Sequence, residues 1–208
     1  DALNVLMAHY YKLPNDLYCW GQDRGGTLIP LISQIFINLF HFSALTSVSL
    51  SNYIILILGF IGFASLFKSN FYKILFAFVW FLPYERFIDI LRFPIGVEYS
   101  LIGLFIFLFN KVKYFDFDKN YKNYAFLIFS ILLLIISVWV SDLAIITILV
   151  FFTIYLVFDY IENKKIIIPK EIIYSTILGV IVCVIFIKYA KSFSFAKNEN
   201  YLSINNFE

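Results

Sequence analysis

Tyr124–Phe158 reads YAFLIFSILLLIISVWVSDLAIITILVFFTIYLVF and carries a single charge, Asp142. One helix of that length would be about 50 Å long, against a hydrocarbon core of about 30 Å. The stretch is therefore too long for one crossing. Ser141 or Asp142 can cap a new helix from Leu143, so the reading divides it there into two membrane helices around a tight WVSD turn.

The rest of the chain agrees with that reading. Of its 208 residues 62 % are hydrophobic and 14 % charged, whereas a soluble domain is about half apolar and about a quarter charged. The expected fold is all-α, a polytopic transmembrane helix bundle. A net charge of +2 is too small to suggest a nucleic-acid partner, no Lys/Arg tract on a polar face supports one, and none is expected. Cys19 and Cys183 are far apart and read as two unrelated thiols. His41 has no second His or Cys at ligand spacing, so no metal site is indicated.

Downstream of Phe158, residues 159–171 hold Lys164, Lys165 and Lys170, and Pro169 suits the start of a last membrane helix over Ile172–Ile187. Upstream, Ile95–Phe109 is an apolar run with Glu98 near its start, either at the water interface or aimed into a cavity, because an unpaired charge at mid-membrane is costly. It follows PYERFIDILRFP, which carries Arg86 and Arg92 with Glu85 and Asp89. Ile74–Leu82 is too short to cross alone, and Tyr53–Phe67 is an uncharged run that Ser51 or Asn52 can cap. Thr27–Phe42 is a helix with Thr27 as N-cap and Pro30 tolerated in its first turn, but Ser33, Gln34, Asn38 and His41 interrupt its apolar surface.

The opening stretch, Asp16–Pro30 (DLYCWGQDRGGTLIP), is the polar island of the chain. Before it, Leu3, Leu6, Met7 and Tyr10 fall at i, i+3, i+4 and i+7, which predicts a short amphipathic helix over Ala2–Lys12 lying in the membrane interface and ended by Pro14. One membrane domain is expected over 1–208, with an external loop and interfacial helix at 1–26, membrane helices over 27–188 and an external polar tail at 189–208. The chain reads as a fragment of a longer protein, beginning at Asp1 and ending in NENYLSINNFE. The lysine-rich loops 111–123 and 159–171 belong in the cytoplasm by the positive-inside rule, which puts the WVSD turn, the PYERF to GVEYS stretch and the tail outside. The opening segment joins them if either 27–42 or 74–82 fails to span.

The succession of an external acidic residue, a short interfacial helix, WGQDRGGTLIPL (20–31), PYERF (83–87) with GVEYSLIGLFIF (96–107), and SVWVSD (137–142) resembles bacterial polytopic glycosyltransferases of the GT-C superfamily. It is similar to the protein mannosyltransferases and the lipid A aminoarabinose transferase. The resemblance implies transfer of a sugar from a polyprenyl-phosphate donor to a lipid, glycan or protein acceptor, by inverting displacement, at the outer face of the bacterial inner membrane. It also implies an acidic residue just after a first membrane helix, for which Asp1 is the matching position, and a second external acid for which Glu85, Asp89, Glu98 and Asp142 compete.

An acceptor hydroxyl attacking an anomeric carbon needs a carboxylate about 3 Å away, and the departing phosphate needs positive charge. Asp1 or Asp23 is the candidate base; Arg24 or Arg92 is the candidate phosphate holder, because a guanidinium donates two parallel hydrogen bonds. Gln22, Glu98, Trp139 and Asp142 complete the expected substrate-binding set. The competing account is structural: Asp23 and Arg24 pair across a turn, Asp142 caps a helix, and Trp20, Trp80 and Trp139 sit at the interface for their amphipathic rings. No cofactor is called for, and a divalent cation stays open. The alternative function is a transporter or lipid-handling protein without covalent chemistry.

Overall fold

A computed structural model describes residues 2–22, 24–82, 94–113, 121–164 and 170–194. Eight α-helices are present among them: α1 (Ala2–Tyr10), α2 (Leu28–Phe40), α3 (Ala44–Ala64), α4 (Asn70–Phe81), α5 (Ile95–Lys113), α6 (Tyr121–Val140), α7 (Ala144–Asn163) and α8 (Lys170–Ser192). The chain is an all-α helical membrane protein. Three helices, at Ala44–Ala64, Asn123–Val140 and Lys170–Ser192, are long and apolar enough to cross a membrane. The 13-residue α2 and 12-residue α4 reach about 20 and 18 Å, each short of a bilayer core of about 30 Å; with neither crossing, α3 alone separates the opening segment from residue 83, so helix length does not give the even number of crossings that puts that segment outside.

Two compact units divide the chain, one formed by residues 1–51 and 184–208 and the other by 52–183. In the first, α1 packs on α2. Gln34 Nε2 donates to the Ala8 carbonyl at 2.7 Å. The face that α1 buries consists of Asn4, Met7 and Ala8, while Leu3, Leu6 and Tyr10 of its apolar stripe are exposed. The small Ala8 lets the Gln34 amide reach the backbone, and Met7 beside it is fully buried.

Ser33 Oγ donates to its own helix at Ile29 O (2.7 Å) and lies 3.1 Å from Ser51 Oγ on α3. His41 ends α2 in the left-handed region (φ 55°), where histidine is enriched among non-glycine residues, and its N–H bonds Ile37 O at 3.1 Å. The sequence expectation that α3 starts at Ser51 or Asn52 is corrected: the helix begins at Ala44, with Ser43 Oγ accepting from Thr46 N–H at 3.2 Å. Ser51 instead returns its hydroxyl to Ser47 O (2.8 Å), which lets a serine-rich segment continue as helix by satisfying its polar groups internally.

In the second unit α3 crosses α5 at backbone contact. A Cβ added at Gly59 would meet Ser100 Cα at 2.5 Å, and one added at Gly62 would strike the Gly103 carbonyl group. Small residues at such crossings let helix backbones approach where lipid provides no hydrophobic drive. Ser69 caps α4 by accepting from Phe71 N–H at 3.3 Å. Trp80 Nε1 on α4 donates to Leu56 O on α3 (3.1 Å), while Phe60, Phe63 and Phe76 pack between them. Ile102, Phe105, Ile106 and Phe109 of α5 form the core with Leu127 of α6 and Ile172 of α8. The Phe105 and Phe109 rings meet Phe152 of α7 at centroid distances of 5.9 and 5.8 Å.

The division of 124–158 falls where the sequence puts it, between α6 and α7. Its chemistry differs. The residue before α7 is Leu143, and no side chain caps the helix; the carbonyls of Ser141 and Asp142 accept from Ala144 N–H (3.0 Å) and Ile145 N–H (3.3 Å). A reversal this tight places backbone acceptors where a capping oxygen would otherwise sit.

Candidate functional site

The segment between α1 and α2 folds around Asp16. The residue is 4 % exposed; its Oδ2 accepts from Lys12 N–H at 2.6 Å and Oδ1 from Trp20 Nε1 at 2.8 Å. The Asp16 carbonyl accepts from the Thr27 hydroxyl, which also lies 3.1 Å from Tyr11 Oη. This explains why Thr27, expected as the N-cap of α2, makes no capping bond with its side chain. Residues 17–27 close into a small hairpin: Tyr18 bridges Gly26, Cys19 N–H donates to Gly25 O at 3.0 Å, and Thr27 N–H donates to Leu17 O at 3.3 Å. The reversal needs left-handed backbone at Gly21 and Gly25, both at φ 74°, which glycine adopts without a Cβ clash.

Burial sets the chemistry of the inner side chains. Cys19 is buried against the hairpin, and desolvation pushes its thiol up to about 11. Burial also raises the Tyr11 phenol, with the bond to Thr27 working against the rise and the Asp16 charge with it. Both groups are held in their neutral forms near pH 7, so neither supplies a nucleophile or base there. A cleft of about 380 Å³ opens beside this scaffold, lined by Tyr10, Lys12, Asn15, Asp16, Trp20 and Gly21.

The expected site residues are distributed as follows. Asp1, Asp23 and Arg92 lie outside the described residues. Gln22 and Arg24 are exposed on the hairpin, and neither lines the cleft. Glu98, in the first turn of α5, is 2 % exposed and accepts from Thr147 Oγ1 of α7 at 3.1 Å. Trp139 is buried near the end of α6, and Asp142 is exposed in the α6–α7 turn. The GVEYS stretch and the helix that follows WVSD therefore meet through the Glu98–Thr147 bond. Among the described residues, no three His, Cys, Asp or Glu side chains are placed to hold a metal ion.

Sequence reading missed Asp16 and Thr147. Asp16 has one local signal, an acid four residues before a tryptophan in a Pro-Asn-Asp turn, but only the fold shows that indole and carboxylate meet. Thr147 has none, since its partner is 49 residues away. Comparison of the chain with protein-family models, with curated proteins and with solved structures finds no match.

Proposed function

We propose that the chain belongs to a membrane glycosyltransferase that moves a sugar from a polyprenyl-phosphate donor to a lipid, glycan or protein acceptor at the outer face of a bacterial inner membrane. The acceptor hydroxyl attacks the anomeric carbon, the bond from that carbon to the phosphate oxygen breaks, and polyprenyl phosphate leaves as the hydroxyl proton passes to a carboxylate. The supporting observation is the polar hairpin between α1 and α2, which exposes Gln22 and Arg24 to solvent in a chain that also holds helices of membrane-spanning length. An exposed guanidinium suits a phosphate, which it grips with two parallel bonds. Asp1 and Asp23 remain the proposed bases on sequence grounds.

The full-length protein in nanodiscs, offered polyprenyl-phosphate-linked hexoses and pentoses, is expected to release polyprenyl phosphate with at least one of them. Arg24→Ala is expected to lower kcat/KM by at least tenfold. Silence across the donor panel, in a preparation whose folding is verified by circular dichroism, overturns the transfer reading. Full turnover by an Asp1→Asn, Asp23→Asn double variant overturns the base assignment alone.

One observation favours the alternative, a transporter or lipid-handling protein. Glu98 is almost completely enclosed and is the single charge of the apolar stretch Ile95–Phe109 in α5, and ionisable groups in membrane helices mark pathways for ions or substrates. Loss of proteoliposome flux in Glu98→Gln, with no donor turnover in the parent protein, selects that reading.

A further inference from the structure

The cleft beside Asp16 contains none of the residues that the sequence nominates, yet it is the better-built feature. Its floor is a nearly buried carboxylate that bonds the two walls, Lys12 through its backbone N–H and Trp20 through its indole N–H. The Trp20 ring is thereby fixed in orientation before any ligand arrives, which removes an ordering cost from binding. Tyr10 supplies a second ring, Lys12 and Asn15 supply exposed donors, and at Gly21 a Cβ would meet nothing within 4 Å, leaving the backbone open to close approach. A volume of about 380 Å³ lies at the small end of the range of roughly 300–1,000 Å³ that small-molecule sites occupy.

Charge decides the class of ligand. Lys12 and Asp16 line the cleft together, so their formal charges cancel, and an anion would share the space with the Asp16 carboxylate. That carboxylate has roughly four acceptor positions, of which the Lys12 and Trp20 bonds occupy two. Capacity remains for hydroxyl donors. Two of the lining residues, Tyr10 and Trp20, are aromatic, and the negative face of such a ring attracts the weakly positive C–H face of a pyranose. A neutral ligand that is apolar on one face and hydroxylated at its edge meets all of these demands.

We propose that this cleft is a saccharide subsite in which one pyranose ring lies against Trp20, with its hydroxyls bonded by Lys12, Asn15 and Asp16. Asp16 is also the positioning residue for the Trp20 ring. The subsite rests on the transferase reading only for its place in a reaction, as the seat of donor or acceptor sugar; binding itself does not require turnover.

The test uses the full-length protein in nanodiscs and saturation-transfer NMR with the methyl α-glycosides of mannose, glucose, galactose and N-acetylglucosamine. At least one glycoside is expected to receive saturation at its ring C–H protons, and Trp20→Leu is expected to weaken that signal at least fivefold while Trp20→Phe retains part of it. Lys12→Gln and Asn15→Ala alter exposed side chains and keep the fold, and each is expected to weaken binding at least twofold. Absence of saturation transfer with all four glycosides, an undiminished signal in Trp20→Leu, or displacement of the glycoside by inorganic phosphate overturns the saccharide assignment. Glycoside binding by a protein that turns over no donor upholds the subsite and sinks the transferase reading separately.

Discussion

Replacing Asp16 by alanine removes the acceptor for two donors at once, Lys12 N–H at 2.6 Å and Trp20 Nε1 at 2.8 Å. Hydrogen bonds to a charged group contribute about 1.5–3 kcal/mol each, and water recovers part of the loss at these partly buried donors, leaving about 2–3 kcal/mol of local destabilisation. Cys19 reports it directly. In the closed hairpin its thiol is buried and pushed up to about 11, so at pH 8 it is almost wholly protonated and shielded. Labelling by N-ethylmaleimide then proceeds through local opening, and its rate follows the opening equilibrium. A loss of about 2–3 kcal/mol raises that equilibrium roughly 30- to 150-fold, at a factor of ten per 1.4 kcal/mol. The measurement is made by mass spectrometry in a Cys183→Ala background, so that one thiol remains. Asp16→Asn keeps a carbonyl acceptor and is expected to fall between parent and alanine variant. A labelling rate in Asp16→Ala within twofold of the parent would refute the idea that this carboxylate holds the hairpin.

Three further outcomes are expected. Gly62→Ala forces a methyl group into the Gly103 carbonyl and costs about 1–3 kcal/mol by overpacking, read as a lowered thermal midpoint in detergent; an unchanged midpoint would mean the α3–α5 crossing is looser than described. Because Cys19 rises from an ordinary 9.0 to about 11 on folding, the folded state holds its proton more tightly than the unfolded state does. The resulting stability is complete below pH 9 and is lost by pH 11, about 2–3 kcal/mol in all, and Cys19→Ala should flatten denaturation midpoints across that window. Thr147→Val preserves shape but takes the hydroxyl donor from Glu98, which is expected to lower stability by about 1–3 kcal/mol, with Thr147→Ser restoring most of it.

Long-range apolar pattern carried the fold into the sequence. The break at Ser141–Asp142 was legible because helix length and bilayer thickness are both fixed by geometry, so thirty-five apolar residues had to fold back. The start of α3 was not, because serine serves equally as a cap and as a helical residue that bonds its own preceding turn; Ser43 does the first and Ser51 the second. Periodicity found the apolar stripe of α1 but said nothing of its contact with α2, which buries Asn4, Met7 and Ala8. In the site, composition picked out the polar island but ranked its members by charge and exposure. Asp16 carries its effect through burial and two bonds, and those properties exist only after the backbone has turned at Gly21 and Gly25.

The crossing of α3 and α5 has a mechanical consequence. Where Gly62 meets Gly103 backbone faces backbone, with the Phe63 ring of α3 packed against Gly103, so the two helices have little soft material between their axes at that level. They can pivot about the contact or slide along it, but rotamer changes cannot bring them closer there. The pair thus fixes the spacing of α3 and α5 at that level, which a larger residue at either position would have to widen.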